Sequence, residues 1–409
     1  MEKKFSMRYI LVMIATCGLI ASSVGLQTNI SGLFFNPIAE SFGIMKGAVS
    51  MTLTISNLIF ALGGMIAPRL IKEQNLKLMV IAGTAIEAGG TILLSMAPNI
   101  MFMYILNAIR GFAAGVLGFV IVTIIISNWF KESVGLMTSI ALGFSGVAAA
   151  IFSPIISSVI AGGGWRVGYL VAGILIVVFN LPAVFFLPAL HPHTKGFKAF
   201  GEKEIIEPHP TGFTEEKPGR KISIFLMILA CLYAVMACGA GAMPQHFPGI
   251  ADSFGFGAVG ATLISVTMVA NTGGKIILGI LSDKLGSRLS IIFYLCLAIA
   301  GTFIFLTIHT SFFMIVAAVL FGMVYALGAV GPVMISKDMF GLENYSKTYP
   351  TVNMCGTVSN AIFSTVIGYL YDFSGNYYST LFLMLGMLSI GIVVVIVAYT
   401  RNDAMLAKQ

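Results

Sequence analysis

Lys275 and Asp283 stand eight residues apart in a stretch that is otherwise almost wholly apolar. On a helix that separation is about 12 Å. This is too far for easy escape of the ammonium to the polar boundary at Asp283, and an ammonium in hydrocarbon costs on the order of 3 kcal/mol. Such a group calls for a watery cavity, a protein counter-charge, or an anionic ligand that supplies the missing charge, and a carboxylate is a simple ligand of that kind. Two other charges stand inside apolar runs, Arg110 and Glu87. They are expected to neutralise one another, which leaves Arg110 either structural or a ligand contact, and Glu87 either an ion-pair partner or the carrier of a coupled proton. The uncharged polar residues Gln27, Asn29, Asn271, Tyr325 and Asn353 are candidates for ligand contacts or for hydrogen bonds between helices. His246 belongs with them, and because histidine titrates near neutral pH it also suits proton handling or a gate.

Other chemistries find no support. There is no HExxH or GxSxG motif, no paired buried aspartates and no GxxxxGK[ST] phosphate loop. An enzyme, or a machine driven by nucleotide hydrolysis, is therefore not expected. The five cysteines (Cys17, Cys231, Cys238, Cys296 and Cys355) show no CxxC spacing and read as small packing residues. No metal or other cofactor is expected.

The elements that carry these residues follow from composition. The chain has 409 residues, 58% of them hydrophobic and 10% charged, with a mean hydropathy of +0.97. A water-soluble fold has too little interior to hide so much apolar surface, so lipid must be the solvent for much of it. A helix needs about 20 apolar residues to cross the hydrocarbon. Runs of that kind fall at 9–35, 47–70, 76–97, 100–127, 134–161 and 166–188, and again at 222–250, 258–282, 288–308, 311–338, 345–371 and 377–400. The first is too long for a signal-peptide core and leads straight into further runs, so no cleavable signal is expected. The expectation is an all-α membrane protein of twelve transmembrane helices: a six-helix bundle over 1–190, a polar cytoplasmic linker over 191–221, and a second six-helix bundle over 222–409. The linker holds His191, His193 and His209, whose spacing is unlike a metal site.

Basic residues orient the chain. With the N-terminus inside, all but four of the 23 Lys and Arg residues fall in cytoplasmic segments. The exceptions are Lys46 and Arg166 in external loops, and Arg110 and Lys275 within spans. Cytoplasmic loops of membrane proteins carry this excess, so both termini are expected to be cytoplasmic. The net charge of +7 then reports topology and gives no reason to invoke nucleic acid.

The two halves repeat. Phe35-Asn-Pro-Ile-Ala-Glu-Ser-Phe-Gly43 returns as Phe247-Pro-Gly-Ile-Ala-Asp-Ser-Phe-Gly255, and Asn128-Trp-Phe130 is echoed by Asp338-Met-Phe340, after which Gly146 matches Gly356. Duplicated six-helix bundles suit a carrier in which two bodies rock about a site held between them.

Gly279-Ile-Leu-Ser-Asp283-Lys284-Leu-Gly286-Ser-Arg288 resembles the Gly-x-x-x-Asp-Arg/Lys-x-Gly-x-Arg motif of the major facilitator superfamily, at full spacing. The resemblance implies that Gly279, Asp283, Lys284, Gly286 and Arg288 form a conformational latch. In the N-terminal counterpart Pro68 replaces the acid ahead of Arg69, so the latch is not symmetrical. Arg110-Gly-Phe-Ala-Ala-Gly115 resembles a further superfamily motif. Asn128-Trp129-Phe130-Lys131, Gly164-Trp165-Arg166, and Lys275 four residues before Gly279 resemble monocarboxylate and oxalate:formate porters. That family resemblance implies that Lys275 binds the carboxylate. Oxalate porters carry a second cation in span 11, where this chain has only Lys347 at the edge, which implies a monoanion unless Arg110 takes a second carboxylate. Asn29 and Phe34 stand where oxalate porters tend to have tyrosines, which leaves room for a different or bulkier cargo.

The expectation is a secondary carrier in the cytoplasmic membrane of a prokaryote. It would move a small organic carboxylate by proton symport or by anion exchange, through alternating access, as a monomer. The alternative is a drug or lipophile exporter of the same fold, which would prefer an acidic, aromatic cavity.

Overall fold

The structure, a computed structural model, describes residues 7–132, 134–187, 189–202 and 222–407. Lys3, Lys4, His209 and Lys408 lie outside the described residues, as does most of the linker.

Helix dominates, because backbone in hydrocarbon must satisfy its own N–H and C=O groups. The first crossing comprises α1 (Met7–Ile20), a π-helical stretch (Ala21–Asn29) and α2 (Gly32–Phe42). There follow α3 (Lys46–Leu70), α4 (Leu76–Leu94), α5 (Ile100–Leu117), α6 (Phe119–Trp129) and α7 (Val134–Phe186). After the linker come α8 (Ile224–Ala240), α9 (Phe247–Ser253), α10 (Gly260–Leu285), α11 (Ser287–Thr307), α12 (Ser311–Ser374) and α13 (Tyr378–Leu406).

Ten helices of the described residues are long and apolar enough to cross a membrane. Two continuous helices are too long to be single crossings. α7 has 53 residues and α12 has 64, whereas about 20 suffice. α7 breaks at Gly164 (φ 78°) and α12 at Gly341 (φ 74°), at a backbone angle that only glycine adopts freely. Divided there, the helices make twelve crossings. Other runs are less regular than their hydropathy implies. Residues 222–250 are not one helix: α8 ends at Ala240, a 3-10 turn spans Met243–His246, and α9 follows. Pro244 and Pro248, which lack the N–H a continuous helix needs, sit in that interruption. Gly118 likewise separates α5 from α6.

Large apolar side chains cover the outside, Phe382 at 63% exposed and Ile276 at 66% among them, as lipid contact allows. Inside, one apolar cluster is built entirely from residues 226–399, and two others are built almost entirely from residues 12–190. The exception is α10, whose Ala261, Ile264 and Met268 join a cluster of the first half.

The linker was expected to be solvated, but residues 189–202 lie docked on the first half. The Glu73 carboxylate accepts hydrogen bonds from the backbone N–H of Leu190 and His191, both at 3.0 Å, and from Thr194 Oγ1 at 2.9 Å. Trp129 Nε1 donates to the Ala189 carbonyl at 3.0 Å, and Phe200 pairs with Phe130 in an isolated β-bridge. A buried loop needs such partners for its backbone, and Glu73 with the end of α6 supplies them. His191 lies 3.1 Å from Glu73, and His193 lies 3.1 Å from Glu202.

Candidate functional site

Hydrogen bonds between the halves gather toward the end remote from the docked linker segment. Asp372 accepts from the backbone N–H of Lys46 at 3.0 Å and of Gly47 at 2.7 Å. Thr54 Oγ1 donates to the Ala361 carbonyl at 2.5 Å and lies 2.7 Å from Thr365 Oγ1. Gly32 N donates to Gln245 Oε1 at 3.1 Å, Asn36 Nδ2 to Asp252 at 3.3 Å, and Ser153 Oγ to the Ala261 carbonyl at 3.2 Å.

Toward the linker end the paired faces part. Gly146 of α7 lies so close to α10 that a Cβ there would stand 2.5 Å from Thr272 Oγ1. Residues seven apart share a helix face. Seven residues from Gly146, Ser139 is exposed, and seven residues from Thr272, Gly279 has open space beside it. The second seam behaves alike: Ala361 is fully buried against Thr54, while Met354, seven residues away on that face, is 58% exposed. The halves therefore enclose a cleft that is closed at one end and opens toward the linker.

Lys275 stands where α7 and α10 separate, between Thr272 and Gly279. It shares a helix face with Met268 and Ile264, both of which pack on the first half. Among the described residues its ammonium has neither a hydrogen bond nor an ion pair, though the side chain is half-buried. Asn271, one turn earlier and 2% exposed, is also without a hydrogen-bond partner among the described residues, and its Oδ1 is enclosed.

Other polar residues are engaged with protein. Tyr325 donates its hydroxyl to Asn29 Oδ1 across the halves at 3.2 Å, and Asn29 Nδ2 donates to the Ser145 carbonyl at 3.2 Å. Gln27 Nε2 donates to Ser56 Oγ at 3.2 Å, which leaves Gln27 Oε1 buried without a partner. His246 Nε2 lies 2.9 Å from the Ser364 carbonyl, and its ring packs at 5.3 Å on Phe35, near the closed end. Asn353 is half-buried.

Arg110 and Glu87 do not form a direct ion pair. Arg110, 4% exposed, donates to Asn107 Oδ1 and Thr91 Oγ1, both at 3.0 Å, and to the Gln27 carbonyl at 3.4 Å. Glu87 is fully enclosed. One carboxylate oxygen accepts from Asn180 Nδ2 at 3.4 Å and the other has no partner. Asn180 in turn accepts from Ser22 Oγ at 2.7 Å. One polar network thus ties the π-helical stretch of the first crossing to α4, α5 and the second part of α7. Of these partners, only Asn107 was legible as a neighbour, from its three-residue spacing to Arg110.

At the linker end, Asp283 is exposed and has no partner among the described residues. Arg288 turns within its own half, 3.3 Å from Thr400 Oγ1 and 3.8 Å from Asp403. Gly286 takes a positive φ of 80° between α10 and α11. Lys284 is exposed at the end of α10.

The chain resembles known transporters. It is 23% identical over 329 residues to the uncharacterized MFS-type transporter YhjX of Escherichia coli (strain K12), covering 78% of each chain. It is 22% identical over 264 residues to the oxalate:formate antiporter of Oxalobacter formigenes, covering 64% of this chain and 61% of that one. It is 24% identical over 152 residues to human monocarboxylate transporter 7, covering 36% of this chain and 29% of the other. The Major Facilitator Superfamily model matches residues 17–311 and 229–408. With its all-helical multi-pass architecture, this chain belongs to the Major Facilitator Superfamily of membrane transporters.

Proposed function

We propose that the protein is a secondary carrier of a small organic carboxylate, working by proton symport or anion exchange across the cytoplasmic membrane of a prokaryote. The observation that carries this reading is the ammonium of Lys275, without a counter-charge among the described residues, at the point where the two halves part. A cation at that depth costs about 2.5–3.5 kcal/mol, and an anionic cargo would offset the cost. The names of two relatives, an oxalate:formate antiporter and a monocarboxylate transporter, support the anion class.

Residues 1–190 and 222–409 act as two bundles joined by the linker 191–221. The linker end, with Arg69, Lys72, Lys131, Lys195, Arg288 and Lys337, faces the cytoplasm by the positive-inside rule. Both termini lie on that side, and the cleft opens inward. The cargo enters between α7 and α10, meets Lys275 and Asn271, and is released on the other side when the seams at Thr54 and Asp372 open and the linker end closes. Asn29, Tyr325, Gln27 and Asn353 would frame it. In the closed cytoplasmic state Asp283, Lys284 and Arg288 latch the halves around the turn at Gly286, with Gly279 preceding them on α10. Arg110 acts as an internal tie of the first half. Glu87, enclosed beside it, is the candidate proton carrier, and His246 is a candidate gate residue near the external seam. Export of cationic drugs would require an acid facing the cleft, whereas Glu87 is sealed inside the first half.

Uptake of labelled carboxylates into proteoliposomes tests this reading. The Lys275→Ala variant should be inserted and folded but inactive, and Lys275→Arg should retain part of the activity, since a cation remains while its shape differs. Full transport by Lys275→Ala would remove Lys275 from the mechanism.

A further inference from the structure

We infer that the docked linker segment and the start of α1 form a site for the phosphate of an anionic phospholipid, with Arg8 as its seat. The inference goes beyond the carrier reading and is independent of the cargo. It takes from that reading only the side of the membrane on which the linker lies.

Arg8, Tyr9, Trp129, Gly196, Phe197 and Lys198 line a half-open cavity of about 260 Å³. Its walls come from three places far apart in sequence: the first turn of α1, the last turn of α6, and the chain just after the 3-10 turn Pro192–Lys195. Specific contacts assemble them. The Tyr9 hydroxyl donates to the Lys198 carbonyl at 2.9 Å. The Phe200 N–H donates to the Trp129 carbonyl at 2.8 Å, and the Trp129 ring stands 6.2 Å from that of Phe197.

The orientation of Arg8 shows what the cavity would take. Its guanidinium lies 4.0 Å from the centre of the Phe197 ring, a cation–π contact. The ring covers one flat side of the guanidinium and uses none of its five N–H donors, which point outward in its own plane. Among the described residues Arg8 makes no hydrogen bond or ion pair, and no acid lines the cavity. Two acids of this surface are engaged elsewhere. Glu73 accepts from Leu190, His191 and Thr194, and Glu202 accepts from the Ala199 N–H at 2.9 Å and lies 3.1 Å from His193. Lys198 brings a second positive charge to the cavity. A guanidinium held flat with its fork open matches two oxygens of one phosphate.

The position points to a lipid as the source of that phosphate. Met7, next to Arg8, is 67% exposed, and Ile10 and Ile14 on the same helix face are exposed as well. These apolar side chains meet acyl chains, so Arg8 stands at the level where headgroups begin. Trp and Tyr gather at that boundary, and basic pockets at the cytoplasmic ends of membrane helices take anionic headgroups. Phosphatidylglycerol offers two free oxygens and one negative charge. Phosphatidylcholine has the same phosphate but carries its own cation beside it. A bound anionic lipid thus joins α1 to the linker segment and makes the docking of that segment depend on the membrane.

The test is hydrogen exchange on the full chain in detergent micelles, with added phosphatidylglycerol, phosphatidylcholine or soluble glycerol phosphate. The amides of Phe197 and Phe200, bonded to the Pro192 and Trp129 carbonyls, report the docking. In wild type phosphatidylglycerol should slow their exchange and the other two additions should not. Arg8→Gln should raise the lipid fraction needed for half-maximal protection about fivefold. Arg8→Lys should restore only part of the loss, because an ammonium lacks the planar fork. Arg401→Gln, which removes an exposed cation near the end of α13, should change nothing. Equal protection by both lipids would overturn the inference. So would an Arg8→Lys protein that matches wild type, or an equal loss in Arg401→Gln, since either reduces Arg8 to diffuse surface charge. Protection by glycerol phosphate would overturn the lipid as the source. The wild-type comparison of the two lipids stands even if a variant fails to fold.

Discussion

Asp372 caps a helix that belongs to the other half of the molecule: its carboxylate oxygens accept from the N–H of Lys46 at 3.0 Å and of Gly47 at 2.7 Å. These are the first residues of α3, where N–H groups lack partners within the helix and the helix dipole favours an anion. Lys46 adds its ammonium over the Tyr371 ring at 3.8 Å. One residue from α12 thus adds to the contacts that hold the far end of the cleft shut. An N-cap of this kind contributes about 0.5–2 kcal/mol. Asp372→Ala should therefore shift the population toward the state open on that side by roughly 2- to 30-fold. Ser50 is fully buried beside Gly368 at this seam. In a background without native cysteines, Ser50→Cys should react correspondingly faster with an impermeant maleimide when Asp372 is replaced. An unchanged rate would mean that the apolar seam alone holds the closure.

Arg110 is expected to matter for stability before it matters for cargo. Its three hydrogen bonds run to the π-helical stretch, α4 and its own α5, so its loss strands Asn107, Thr91 and the Gln27 carbonyl and removes the cation nearest Glu87. Breaking one side of a buried charged arrangement costs about 3–5 kcal/mol. Arg110→Gln should lower yield and melting temperature sharply, and Arg110→Lys should rescue poorly because one ammonium does not reproduce a planar fork of donors. Folded Arg110→Gln with intact melting but a raised KM for the carboxylate would reassign Arg110 to the cargo site.

Glu73 gives the docked linker segment a dependence on pH. Burial raises its carboxyl pKa, but the hydrogen bonds from His191, Thr194 and the backbone of His191 and Leu190 outweigh this and hold it below the usual 4.5. A carboxyl whose pKa is lower in the folded state contributes stability above its ordinary pKa. That contribution fades as pH falls from there through the lowered folded value. The backbone amides of Leu190 and His191 should thus keep constant hydrogen-exchange protection from neutral pH down to about pH 5, then lose it in more acid solution. Glu73→Gln should lose protection at all pH values. Protection in wild type that is flat through the acid range would separate Glu73 from the docking.

Much of the fold was legible because lipid imposes a simple rule. Twelve apolar runs were needed, and the breaks at Gly164 and Gly341 fall in the gaps between those read at 134–161 and 166–188 and at 311–338 and 345–371. Hydropathy is blind to backbone irregularity, however. Averaged over a whole run, it passed over the π-helical stretch at Ala21–Asn29, where Ser22, Ser23, Gln27, Thr28 and Asn29 gather, and the interruption between α8 and α9, which Pro244 and Pro248 mark. Lys275 stood out because charge in hydrocarbon is costly wherever it lies. The partners of Arg110 did not, because Thr91 and Gln27 lie on other helices and their distance depends on packing. Glu73 was hidden for a similar reason. An acid in a short loop looks solvated, and only the chain's return at Leu190 gives it donors to accept from.

The account turns on Lys275 as the seat of an anionic cargo, and ligand binding to purified protein tests that most directly. A ligand that binds only the folded state raises its melting temperature by mass action. Wild-type protein screened against monocarboxylates, dicarboxylates, sugars and cationic drugs should be stabilised by carboxylates, and the shift should vanish in Lys275→Ala while the unliganded melting temperature does not fall. Equal carboxylate stabilisation of the two proteins, or stabilisation of wild type by cationic drugs alone, would contradict it.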